Sequence, residues 1–259
     1  IYPSVLYIFH HGNRSLEQGR RSQAQRMIDQ LADIAATYGN AFSKTVEHEL
    51  NARMLLKYRQ IDAAVRVTQA GIDRAIRLDM HLFVHLFHSI MARLNLLQAD
   101  IAGAQASLSR AAEYTAEAAG MPYYHSQFVL GRFACDLHLL EQALAEGGPQ
   151  SIRTRRKAAV RSGRKLLRNA VKVACDQTEA FRLRGCLAWA LDNQSAACKW
   201  WLKSVDVGIR LDARLELART YDRIGRSLGA PQSRQAELRG RTHHHYLEMA
   251  QGLFREVGL

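Results

Sequence analysis

Apolar residues recur three and four positions apart along nearly the whole chain, and strand-like alternation is scarce. Met27, Leu31, Ile34 and Ala35 form one such stripe, Val65, Ile72 and Ile76 a second, and Leu108, Ala111 and Ala112 a third. That period collects the side chains on one face of an α-helix, so the pattern predicts an all-α fold. Turn and cap residues interrupt it at Gly39–Asn40, Tyr58–Gln60, Gln98–Asp100, Gly120–Pro122, Gly147–Pro149, Asp192–Gln194 and Gly229–Pro231. Only four prolines occur, which leaves long stretches without a helix breaker. The predicted helices cover 15–38, 41–58, 61–78, 80–97, 100–119, 122–145, 150–175, 178–191, 194–210, 212–227 and 242–257. Their short links imply antiparallel hairpins.

The chain also repeats itself. A shift of 40 residues lays Ala52-Arg53-Met54 on Ala92-Arg93-Leu94, Leu56 on Leu96, Ile61 on Ile101 and Ala64 on Ala104. A weaker echo lays Ala63 and Ala64 on Ala197 and Cys198. Small residues early in each second helix allow two helices to approach closely. One hairpin cannot bury its own apolar face, so neighbouring hairpins must stack to supply a core. The expected architecture is a right-handed α-solenoid of about five hairpins with a period near 40. It is read as a single domain over 1–259 with an irregular linker at 228–241.

This unit resembles a long variant of the tetratricopeptide repeat. Leu215-Glu216-Leu217-Ala218-Arg219-Thr220-Tyr221 with Gly225-Arg226 is similar to the end of a first repeat helix. Tyr246-Leu247-Glu248-Met249-Ala250 with Leu253-Phe254-Arg255-Glu256 resembles the matching second helix. The ending looks most like the C-terminal repeats of STAND-class signalling ATPases, including maltose-regulator-like and cyclase- or kinase-linked regulators. That resemblance implies a non-catalytic sensor module that binds a protein, a peptide or other domains of its own chain. The chain starts without Met inside the apolar stretch Tyr2–Phe9 and is read as a piece of a longer protein.

Charge adds a second theme. The formal net charge is +12, but residues 1–128 hold 13 Lys/Arg against 11 Asp/Glu, and the remainder 23 against 13. Nearly all the excess lies in the second half, which suggests a local electrostatic surface. Between Glu146 and Asp176 nine cations occur with no acidic residue. At about 100° per residue, Arg153, Lys157, Arg161, Arg164, Arg168 and Lys172 share one stripe of the helix 150–175, with Ile152, Ala159, Leu166 and Ala170 on the other side. The stripe is a candidate docking surface for an acidic partner segment, nucleic-acid phosphates or anionic lipid, set against a plain solvated face. No aromatic residue interleaves with it for base stacking.

Other candidates are weaker. His81, His85 and His88 fall on one helical face and read as groove-lining residues. A metal site is disfavoured because no carboxylate lies between Asp79 and Asp100. His243-His244-His245 and His10-His11 cannot converge on a helix, since adjacent side chains diverge by about 100°. Trp189, Trp200 and Trp201 read as fillers between helices. The four cysteines show no CxxC pair and read as reduced core residues of a cytoplasmic protein. There is no phosphate-binding glycine loop, dinucleotide fingerprint, HExxH or GxSxG, and Glu47 and Glu49 point apart on a helix. No run of 18 apolar residues exists to span a membrane. The expectation is therefore a protein without catalysis, cofactor or metal. Its leading reading is a regulatory interaction module, with a nucleic-acid-binding solenoid as the alternative.

Overall fold

The computed structural model of the protein describes residues 2–259. The described residues are almost entirely helical and fall into two compact units, one of residues 2–16 and 20–136, the other of 17–19 and 137–259. Within each, consecutive helices pack on their sequence neighbours. The chain is thus an all-α array of solenoid type.

The first unit contains α1 (Tyr2–Glu17), α2 (Arg21–Tyr38), α3 (Ala41–Lys57), α4 (Ile61–Arg77), α5 (His81–Leu97), α6 (Ile101–Glu113), α7 (Thr115–Ala119) and the first part of α8 (Pro122–Glu146). Helices α2 to α6 start at 21, 41, 61, 81 and 101, so the structural period is a 20-residue helix plus turn. Two such elements make the 40-residue repeat. The turns share one geometry. Gly19, Gly39, Arg59, Asp79 and Ala99, each 20 residues after the last, adopt positive φ. Except after Gly39, the following N–H donates back five residues: Gln60 to Leu55 at 2.9 Å, Met80 to Ala75 at 2.8 Å, Asp100 to Asn95 at 2.9 Å. This is the left-handed C-terminal cap, which satisfies carbonyls the helix leaves open.

The helices alternate in character. Helix α5 is apolar nearly all round, and Phe83, Val84, Leu86, Phe87, Ile90 and Leu94 are all buried. Helix α3 is likewise buried on most sides, from Ser43 to Lys57. Helices α2, α4 and α6 bury single stripes, such as Ala64, Thr68, Ile72 and Ala75 of α4. A helix apolar on every side belongs in the middle and a striped one outside. Ala64 and Ala104 have no exposure, as their place in the 40-residue repeat anticipated.

The second unit holds α9 (Pro149–Ala170), a 3₁₀ turn (Ala174–Asp176), α10 (Gln177–Ala190), α11 (Gln194–Arg210), α12 (Arg214–Leu228) and α13 (His243–Glu256). The six-residue turn recurs here, with Asp192 and Asp212 at positive φ. Asn193 donates to Ala188 and Ala213 to Gly208, both at 2.9 Å. Trp201, wholly buried, anchors a core with Val205, Leu217, Tyr221, Ile224 and Tyr246.

Several expected boundaries move. The predicted helix 15–38 is broken by the turn at Gly19, and its first residues join the apolar stretch Tyr2–Phe9, for which no helix was expected, in α1. Val5, Phe9 and Leu16 are its buried stripe. The predicted helix 100–119 stops at Tyr114, which leaves the helical region with φ −108° and ψ 17°. The predicted helix 150–175 ends at Ala170, so Lys172 sits in the following turn.

The segment 228–241, expected to be an irregular linker, carries a short hairpin of β1 (Glu237–Leu238) and β2 (Arg241–Thr242). Its two central residues, Arg239 and Gly240, have φ of 50° and 69°, the twist a two-residue hairpin turn needs. The segment is tied down on both sides. Gln194 donates to the Gln232 carbonyl and accepts from the Arg234 N–H, each at 2.8 Å. Tyr246 donates to the Leu238 carbonyl at 3.0 Å, and Arg239 grips Asp206 at 2.6 and 2.9 Å.

Candidate functional site

The basic row lies where α9 meets solvent. Ala159, Ser162, Gly163, Leu166 and Ala170 face inward, while Arg153, Lys157, Arg161, Arg164 and Arg168 are exposed on the helix and Lys172 is exposed just beyond it. Burial of the apolar side forces the long cationic chains outward together. Among the described residues, none of the six forms an ion pair with a carboxylate, although much of the surface charge elsewhere is paired, as in Arg239–Asp206 and Arg226–Asp222. Their charge is therefore not used in holding the fold together.

Tertiary packing places aromatic and further basic residues in the same unit. The half-exposed Trp200 ring on α11 has the Arg184 guanidinium carbon 5.6 Å from its centroid and the Lys203 ammonium at 4.6 Å. Phe181 packs against it at 5.7 Å. Both cation contacts lie within the range of favourable cation–π attraction. Burial, and then the Arg164 charge, hold the Arg184 guanidinium below its ordinary pKa. Its Nε and Nη1 atoms are out of water with no hydrogen-bond partner. Trp200 also borders a shallow cleft of about 420 Å³ lined by Lys199, Lys203, Asp206 and Arg239.

These residues were missed in the sequence, where Trp200 reads as a filler beside Trp201. A signal was present. Adjacent tryptophans on a helix point about 100° apart, so only one can face the core. Trp201 takes that place and donates its indole N–H to the Arg182 carbonyl at 3.2 Å. Arg182 is itself clamped by Glu216 at 3.0 Å and Glu179 at 3.5 Å.

The histidines of α5 occupy three different environments. His81 is exposed, 2.8 Å from Asp79 and 3.6 Å from Glu117. His85 is completely buried; Nδ1 lies 2.7 Å from the Ala111 carbonyl and Nε2 faces His125 Nδ1 at 3.3 Å, the rings stacked 5.3 Å apart. His88 is half-buried, and desolvation followed by the Arg110 charge keeps it below its usual pKa. The three do not line one open surface, and among the described residues no group of three or more His, Cys, Asp or Glu could hold a metal ion. His243, His244 and His245 open α13, with His245 beside the Thr242 hydroxyl at 3.1 Å.

Glu49 and Glu47 separate as expected for helical neighbours. Glu47 pairs with Lys44 at 2.7 Å, whereas Glu49 is fully buried and accepts from the Tyr123 hydroxyl at 2.9 Å. Burial drives the Glu49 carboxyl up to about 7, against the opposing pull of Arg53 and Tyr123. The four cysteines are free, three of them buried. No described helix is long and apolar enough to cross a membrane.

No protein-family model matches the chain, and no curated protein does. The class is therefore defined by architecture alone: a helical repeat-like array whose consecutive pairing is compatible with tetratricopeptide-type stacking.

Proposed function

We propose that this chain is a non-catalytic, cytoplasmic interaction module, the tetratricopeptide-like repeat region of a multidomain regulator of the STAND type. It holds an acidic segment of a partner protein, a peptide or another domain of its own chain. The observation that supports this reading is the row Arg153, Lys157, Arg161, Arg164, Arg168 and Lys172, exposed together and without carboxylate partners. Six like charges in a row cost little in salt water, but they attract a polyanion strongly once an acidic chain lies along them.

A second reading, single-stranded nucleic acid, draws on Trp200, because an aromatic ring beside cations is what base stacking uses. One experiment separates the two. A labelled Glu-rich peptide and a single-stranded RNA of equal charge are titrated with the chain from low to physiological salt. The acidic-partner reading expects peptide binding that survives physiological salt and is lost when Arg161, Arg164 and Arg168 are replaced by Glu. Tighter binding of RNA, falling with a log–log salt slope of about 0.7 per phosphate contacted, favours the second reading. If the triple reversal changes neither affinity, the row is a solvated face and the proposal fails.

A further inference from the structure

In the second unit the two most exposed large apolar side chains are Val171, at 77%, and Ile209, at 60%. Single exposed apolar residues are ordinary on a protein surface. These two are not scattered. Val171 follows the last residue of α9 and keeps helical backbone angles, φ −59° and ψ −32°. It comes 18 residues, or about five turns, after Arg153. It therefore returns to the side of the helix that carries Arg153 and Arg164, and ends the cationic stripe in line with it. Ile209 comes from α11 but belongs to the same end of the unit. Gln177, at the start of α10, donates to the Ala170 carbonyl at 3.1 Å and accepts from Arg210 at 3.3 Å. One glutamine thus ties the close of α9 to the close of α11. Arg210 is exposed beside Ile209 and, among the described residues, pairs with no carboxylate. The row of cations runs into an apolar corner flanked by Lys172 and Arg210.

We propose that this corner anchors an apolar residue of the acidic partner segment, so that the partner is recognised as a run of carboxylates ending in large aliphatic side chains. This rests on the acidic-partner reading and gives it a specificity. A row of like charge attracts any polyanion in any register; an apolar anchor at one end selects one register and rejects polyanions that lack it. The spacing suits an acidic chain. Successive cations of the stripe are three or four residues apart, a rise of about 4.5–6 Å. Alternate side chains of an extended segment repeat at about 6.6 Å, so a carboxylate at every second position can meet a cation. From Arg153 to Val171 the rise is about 27 Å, which about eight extended residues cover. A second copy of this chain is a poor occupant, because two molecules of net charge +12 repel. A bilayer fits poorly too. A helix lying in a membrane interface offers its apolar face along its whole length, whereas Ala159, Leu166 and Ala170 of α9 are buried in the protein.

The test uses the whole chain and three probes: a peptide with glutamate at alternate positions ending in Leu-Leu, the same peptide ending in Ser-Ser, and phosphatidylcholine vesicles containing phosphatidylserine. Peptide dissociation constants are measured by calorimetry at physiological salt, and vesicle binding by cosedimentation. The leucine peptide is expected to bind about tenfold tighter than the serine peptide, the effect of taking an aliphatic side chain out of water. Val171→Ser with Ile209→Ser should erase that preference and leave the serine peptide's affinity unchanged. Arg153→Glu, at the far end of the row, should weaken both peptides alike. Circular dichroism checks the fold of each variant; should the double variant unfold, Val171→Ser decides alone. Equal affinity for the two peptides, or a preference that the serine substitutions leave intact, overturns the anchor while leaving the docking surface standing. Vesicle binding that depends on Val171 and Ile209, with no preference between the peptides, overturns it in favour of a membrane. Failure of both peptides to bind overturns the anchor and the docking surface together.

Discussion

Replacing Gly185 by alanine should destabilise the second unit, although alanine is the better helix former. A Cβ at Gly185 would lie 2.2 Å from Trp201 Nε1, 2.3 Å from Cδ1 and 2.9 Å from Cε2. The indole is fully buried and cannot swing into solvent, so it must move against its neighbours. That movement strains or breaks its hydrogen bond to the Arg182 carbonyl, now 3.2 Å. Overpacking of this kind costs about 1–3 kcal/mol, and a lost hydrogen bond adds roughly 1 kcal/mol. The gain in helix propensity returns about 1 kcal/mol. The expected net loss is about 1–3 kcal/mol. Gly252, in α13, provides the internal control, because a Cβ there meets nothing within 4 Å. Gly252→Ala should therefore stabilise by up to about 1 kcal/mol. All three tryptophans lie in the second unit, so urea unfolding followed by tryptophan fluorescence reports on that unit. If Gly185→Ala proves as stable as the parent, the indole is not packed against this helix as described and the reasoning is wrong.

Further outcomes follow from other positions. Ala99 holds a left-handed conformation at φ 59°, so Ala99→Gly should raise the thermal midpoint, by roughly 0.5–1 kcal/mol of stability, measured by circular dichroism. Glu216 is 1% exposed and clamps both Arg182 and Arg219; Glu216→Ala should cost about 1–3 kcal/mol, read from the urea midpoint, because it takes a charged partner from two largely covered guanidinium groups and leaves Arg182 only Glu179 at 3.5 Å. Glu49 titrates near 7 in the fold against 4.5 as an ordinary carboxyl. The folded state thus holds the proton more tightly, its contribution is complete below pH 4.5, and it is lost as pH rises through 7. Glu49→Gln should remove that part of the pH dependence in melts taken across this range, and an unchanged slope would count against a buried, protonated Glu49.

Much of the architecture can be read from periodicity, because a helix that must bury one stripe repeats its apolar residues every three or four positions. The stripes of α2, α4 and α6 and the small residues Ala64 and Ala104 are legible for that reason. The turn geometry is less so. Glycine marks only Gly19 and Gly39, while Arg59, Asp79 and Ala99 adopt the same left-handed caps without the usual signature. The 20-residue helix therefore hides inside a 40-residue repeat. The break between α6 and α7 at Tyr114 carries no Gly or Pro, and α1 shows only three widely spaced buried apolar residues.

The candidate site divides along the same line. The cationic stripe on α9 follows from local sequence, since five charges on one face and alanine and leucine on the other leave a packed helix a single way to turn. Two facts needed the fold. His85 and His88 share a helical face with His81, yet only His85 disappears completely, against Ala111 and His125, because burial depends on what the next helices cover. The meeting of Arg184 on α10 with Trp200 and Lys203 on α11 involves two helices. No spacing within one helix encodes it; only the stacking of α10 and α11 decides which side chains share a space and which guanidinium is left without a carboxylate.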